Sequence, residues 1–156
     1  MVGMPKEAVR VKDKVTIELI EKNTGKVILK KTLHNVITRY GAERQMYQYD
    51  ALGTVPSAPP VRRVNLYYTG GSTEPPVVSL QGDWGSRVDT GTALQNTLTA
   101  VDSTNATYSF RYMGLDVSAD VGGWINNYHK YDYGSVVTKG SDQTLRITWT
   151  ISIPYS

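Results

Sequence analysis

Two histidines, His34 and His129, and no cysteine are the chain's complement of the side chains that most often carry nucleophilic and metal chemistry. Without cysteine, a thiolate nucleophile, a thiolate metal site and a disulfide framework are excluded. A Ser/His/Asp set can be drawn in any chain of 156 residues, but no Gly-x-Ser-x-Gly elbow supports one here. Paired carboxylates for glycoside hydrolysis would come from Asp83, Asp89, Asp116 and Asp120, and no spacing singles out two of them. The stretch DVSAD (116–120) is short of oxygen ligands for a calcium loop. YTGGST (68–73) is Gly-rich but lacks the Lys and following helix of a phosphate loop. NAT (105–107) matches a glycosylation sequon, but the chain starts without an apolar segment of signal-peptide length. His34, on a predicted strand, reads as a structural hydrogen-bonding residue. The chain therefore reads as non-enzymatic, with no cofactor and no metal.

Two stretches hold binding chemistry instead. GGWINNYHKYDYG (122–134) places Trp124, Tyr128, His129, Tyr131 and Tyr133 among Asn126, Asn127 and Asp132. It reads as a long hairpin loop. Its aromatics would pack on their own domain, anchor a protein partner, or stack on a glycan. The second stretch is the N-terminus, where Lys6, Arg10, Lys12 and Lys14 stand against Glu7 and Asp13. Net charge is +3 overall, with +4 in residues 1–31 and −1 in the remainder. Val9, Val11 and Val15 alternate with polar residues, so residues 1–14 read as an extended arm able to add to a neighbour's sheet edge while its cations face acidic groups. The bland alternative is a hairpin with lysines on its wet face. Nucleic acid is disfavoured: the lysines are interleaved with Glu18 and Glu21, and no aromatic–basic groove motif accompanies them.

The elements that must position these residues follow from hydrophobic period. Val15, Ile17 and Leu19 recur every second residue, NTGK (23–26) supplies a turn, and Val27, Leu29, Leu33 and Ile37 return in phase, which predicts a hairpin. In TRYGAERQMYQY (38–49) the spacing of Ala42, Met46 and Tyr49 predicts one short helix capped by Thr38. ALGTVPSAPPV (51–61) is a Pro-rich connector. Residues 62–71, 92–102 and 106–117 read as strands, 103–105 as a turn, and 72–91 as mostly irregular. In 106–112, Ala106, Tyr108, Phe110 and Tyr112 would share a face. The closing run TLRITWTISI puts Leu145, Ile147, Trp149, Ile151 and Ile153 on one face, and such a strand is either central or covered by another subunit. The fold expected is all-β: one antiparallel sandwich or barrel-like domain over 15–156, with one short helix and an extended arm over 1–14. Apolar residues make up 40 % and charged residues 20 %, as in a globular chain. No apolar run reaches membrane-span length, so no membrane partner is expected.

Two segments resemble a loose group of tailed-bacteriophage virion proteins. LHNVITRYGAERQMYQY (33–49) is similar to their apolar-Asn-apolar-apolar-Thr, Gly and helix sequence after an N-terminal hairpin. YDYGSVVTKGSDQTLRITWTISI (131–153) resembles their C-terminal strand, of the form Leu-x-apolar-x-Trp-x-apolar-x-apolar, and MGL (113–115) resembles the Gly-Leu ending a preceding strand. Thr138 departs from the group's pattern, which puts Lys directly after the apolar pair. The resemblance implies a virion structural protein made in the host cytoplasm, first of all a capsid decoration (cementing) protein. Its partners would be the major capsid protein or neighbouring virion subunits, in a homo-oligomer with a trimer favoured. The second expectation is a receptor- or glycan-binding module of a tail fibre using residues 122–134. The resemblance supplies no catalytic residue.

Overall fold

An extended chain with apolar residues at every second position has one face that must be covered. The computed structural model describes residues 11–36, 38–39, 41–42, 61–71, 73–117, 123–124 and 127–155, and covers those faces by packing two antiparallel sheets on each other. The strands are β1 (Lys12–Glu21), β2 (Val27–Val36), β3 (Arg63–Tyr67), β4 (Val78–Gln81), β5 (Asp83–Trp84), β6 (Val88–Asp89), β7 (Ala93–Asp102), β8 (Tyr108–Asp116), β9 (His129–Lys139) and β10 (Gln143–Pro154). The first sheet runs β2-β1-β10-β7-β5, with β6 also paired to β7, and the second runs β4-β3-β8-β9. The chain is a β-sandwich, as expected.

Both predicted hairpin strands form, and Gly25, at φ 72°, makes the turn between them. The closing strand is central, paired with β1 on one side and β7 on the other. Val15, Ile17, Leu19, Leu98, Ala100, Leu145, Ile147 and Trp149 line the core from the first sheet. Val64, Leu66, Phe110, Met113, Leu115, Tyr131, Tyr133 and Val137 line it from the second. Each buried Val, Leu, Ile, Phe or Met among them contributes about 1.5–3 kcal/mol by leaving water.

Several expectations are corrected. β1 begins at Lys12, so the last residues of the expected 1–14 arm are strand residues; residues 1–10 lie outside the described residues. On β8 the phase does not run through Tyr112: the register shifts between Phe110 and Tyr112, which turns Met113 and Leu115 inward and Tyr112 outward. The region 72–91 is mostly irregular, as expected, but three short strands, β4 to β6, interrupt it. Residues 129–134 belong to β9 and are not loop. Of the expected helix, Arg39, Gly41 and Ala42 are helical, and the hydroxyl of Thr38 accepts from Gly41 N at 3.0 Å as the cap; the other positions of 38–49 lie outside the described residues.

Lys31 closes the side where the edge strands β2 and β9 meet. It sits opposite Ile17 at an inward-facing position. Its stem lies along the core while Nζ donates to Tyr133 O at 2.7 Å and stands 4.4 Å from the Tyr133 ring centre.

Candidate functional site

Asp13 shares the inward face of β1 with Val15 and Ile17, so strand parity drives a carboxylate into the core. It is buried, and its oxygens are met by donors from the neighbouring strands. Trp149 Nε1 on β10 donates to Oδ2 at 2.7 Å. Tyr131 Oη on β9 donates to Oδ1 at 3.0 Å and lies 3.1 Å from the Asp13 carbonyl. His129 Nδ1 approaches Oδ2 to 2.9 Å without forming a hydrogen bond to it. The His129 and Tyr131 rings stand edge-on to Trp149, with centroids 6.4 and 5.4 Å away. Burial first, then the Asp13 charge and hydrogen bond, hold the Tyr131 phenol far above its ordinary range. The group ties both sheets together through one acceptor. Its His and Asp are sealed from solvent, so they present no acid or base to a ligand.

A second polar group lies on the outer face of the second sheet. Asn127 Nδ2 donates to Tyr67 Oη at 2.8 Å and to Trp124 O at 3.0 Å, while Asn65 Nδ2 donates to Asn127 Oδ1 at 3.2 Å. Ser79 Oγ donates to Asn65 Oδ1 at 2.7 Å. Gly123, at φ 85°, and Trp124 precede this anchor. The Trp124 ring stands edge-on to Tyr67 and Tyr112, at 5.2 and 5.6 Å, and Lys130 Nζ lies 5.3 Å from it. Beside Tyr112, Arg111 grips Asp132 in a bidentate pair of 2.8 and 3.1 Å, which holds the Asp132 carboxyl below its ordinary range.

A third group fixes the turn between β7 and β8. Lys139 is fully buried, and its Nζ donates to the carbonyls of Thr104, Ala106 and Gly140 at 2.9, 2.7 and 3.2 Å. Lys22 Nζ donates to Thr104 O from the solvent side at 3.3 Å. Burial opposes ionisation of Asp102. Hydrogen bonds from Thr104 Oγ1, Thr104 N and Tyr108 Oη, with the Lys139 charge, outweigh it and hold the carboxyl below its ordinary range.

The residues singled out in the sequence therefore separate. Tyr128, His129, Tyr131 and Tyr133 are 6, 4, 5 and 7 % exposed, packed within their own domain; they form no exposed aromatic platform on this chain. Trp124 alone of that set keeps a partly open ring. Lys12 and Lys14 lie exposed on the outer face of β1, and Lys6 and Arg10 lie outside the described residues. Sequence reading places Asn127 in a binding stretch rather than in an anchor and gives no inward role to Asp13, Lys31 or Lys139; for Asp13 the signal is present, since it keeps the parity of Val15 and Ile17. Among the described residues, no group of three or more His, Asp or Glu is placed to hold a metal ion, and no helix is long and apolar enough to cross a membrane.

Compared with protein-family models, with curated proteins and with solved structures, the chain matches none.

Proposed function

We propose that this chain is a non-enzymatic structural protein of a tailed-phage virion, a capsid decoration protein that cements the shell. The observation that carries the reading is the ten-position pairing of β1 with β10, from Lys12 opposite Ser152 to Glu21 opposite Gln143. It brings both ends of the described chain out at one end of the sandwich. Lys12 and Lys14 stand exposed there, while the buried ionisable groups Asp13, Asp102 and Lys139 are committed to internal bonds. A rigid body that spends its buried polar groups on itself and offers a charged end suits attachment better than turnover. The resemblance at 33–49 and 131–153 supplies the virion context and favours a trimer.

The test is co-sedimentation of the full chain with undecorated capsids of the phage that encodes it, with the mass in solution measured by light scattering. Saturable binding and a mass of several 17.3 kDa chains are expected; a monomer that stays in the supernatant overturns the reading. The partly open Trp124 ring beside Tyr112 and Lys130 favours a second reading, glycan binding by a tail-fibre module. A glycan array in which the wild type binds and Trp124→Ala does not would support it.

A further inference from the structure

The outer face of the first sheet concentrates positive charge at the end where Lys12 of β1 pairs with Ser152 of β10. Lys12 and Lys14 project from alternate positions of β1, about 6.7 Å apart at the strand repeat. Lys14 lies opposite His34 on β2 and Thr150 on β10, and Lys12 lies opposite Ser152. Lys12, Lys14 and His34 are exposed. They form no ion pair with any described residue. Farther along the same face, Glu18 lies between Lys30 and Arg146, and Arg146 claims it at 3.0 Å. Of the other carboxylates on these three strands, Asp13 points into the core and Glu21 sits at the hairpin end. Lys12, Lys14, Lys30 and Arg146 thus share the β2-β1-β10 part of the face with one carboxylate, Glu18; Asp83, which also points outward, lies on β5 beyond β7. Around them lie the hydroxyls of Thr16, Thr32, Thr148, Thr150 and Ser152.

We propose that this face, centred on Lys12, Lys14 and His34, docks against a carboxylate-bearing surface of another protein. The proposal deepens the attachment reading and rests on it by naming the chemistry of the partner. Charge complementarity identifies the occupant: an acidic surface supplies the counter-charges the face lacks, steers the encounter and fixes orientation. Serine and threonine hydroxyls beside the lysines can donate to carboxylates and accept from backbone amides. Nucleic acid fits less well. A protein that holds a duplex neutralises about 6–10 phosphates, and this face offers four permanent cations, one of them already held by Glu18, with no Trp, Tyr or Phe among the residues named for base stacking.

The experiment immobilises poly-L-glutamate and, separately, duplex DNA, and measures binding of the full chain at low and high salt. Lys12→Gln/Lys14→Gln is compared with Lys26→Gln/Arg62→Gln, which removes the same charge from exposed positions in the β1–β2 turn and before β3 of the other sheet. Circular dichroism confirms that both variants are folded. Binding to poly-L-glutamate is expected to weaken roughly five- to tenfold in the first variant, as for loss of two exposed ion pairs, and to change little in the second. Equal losses in the two variants, or none in the first, overturn the assignment of the face. Tighter binding to DNA than to poly-L-glutamate overturns the choice of partner. A chain that loses poly-L-glutamate binding with Lys12→Gln/Lys14→Gln, yet never sediments with capsids, keeps the acidic-partner face and removes the virion reading.

Discussion

The indole N–H of Trp149 donates to the buried carboxylate of Asp13 at 2.7 Å, joining the two central strands of the first sheet below their backbone ladder. The same carboxylate accepts from Tyr131 of the other sheet. Asp13→Ala would leave the indole N–H without its acceptor and the Tyr131 phenol with only the backbone carbonyl of residue 13, and is expected to cost about 3–5 kcal/mol, as when a buried charged partner is removed. Trp149→Phe keeps most of the packing and removes one donor, for about 1–3 kcal/mol. Urea unfolding of both single variants and the double variant should show coupling of about 0.5–3 kcal/mol. Strictly additive losses would mean the bond carries no stability.

Gly114 on β8 is required for space. A Cβ built there would lie 2.1 Å from Asn127 Cγ and 2.2 Å from its Oδ1, so the carboxamide occupies the volume of the missing side chain. Gly114→Ala must expel Asn127 and break its bonds to Tyr67, Asn65 and Trp124. The expected loss is about 1–3 kcal/mol, the range for overpacking a fitted site. Adding Asn127→Ala should cost less in the Gly114→Ala background than in the wild type, because the clash is already relieved. Melting temperatures of the four proteins decide it; the full Asn127→Ala penalty in both backgrounds would contradict the geometry.

Acid should act through Asp102. Its carboxyl is held below the ordinary range in the fold, so the ionised form favours folding. That contribution is present above the unfolded value, about 3.9, and is lost as pH falls through the lower folded value. Asp102→Asn is expected to be less stable at neutral pH and to lose less stability between about pH 4 and pH 2. Chemical unfolding across that window tests this, and parallel acid curves for the two proteins would show that other carboxylates govern the response.

Period-two alternation made much of this fold legible. Ile147, Trp149 and Ile151 announce the inward face of β10, and Val15, Ile17 and Leu19 that of β1; all six occupy core or core-packed positions. The method failed where parity and polarity disagree. His129, Tyr131 and Tyr133 alternate with Lys130 and Asp132 as strictly as any apolar strand, but polar-tipped side chains with Gly and Asn before them read as a loop. Alternation puts Tyr112 on the inner face, and one irregularity after Phe110 reverses it and every later residue of β8. Asp13 keeps the parity of Val15 and Ile17, but its donors, like the carbonyls that hold Lys139, come from distant segments that composition does not reveal.

Lys139 gives the sharpest test of that last point. Its ammonium has no solvent exposure and is balanced by three carbonyls and the nearby Asp102 charge. Lys139→Met keeps the stem and removes the charge, which strands the carbonyls of Thr104, Ala106 and Gly140 and leaves Asp102 without its cation. Breaking such a buried arrangement on one side is expected to cost about 3–5 kcal/mol. Lys22 reaches the same Thr104 carbonyl from solvent, so water replaces it in Lys22→Met, and at most about 1 kcal/mol is expected to go. Hydrogen exchange adds a local readout, because Ala106 N donates to Thr104 Oγ1 within this turn. Its protection should fall in Lys139→Met and hold in Lys22→Met. Comparable stability losses in the two, with the turn equally protected, would mean that the buried ammonium is not what holds the β7–β8 connection in place.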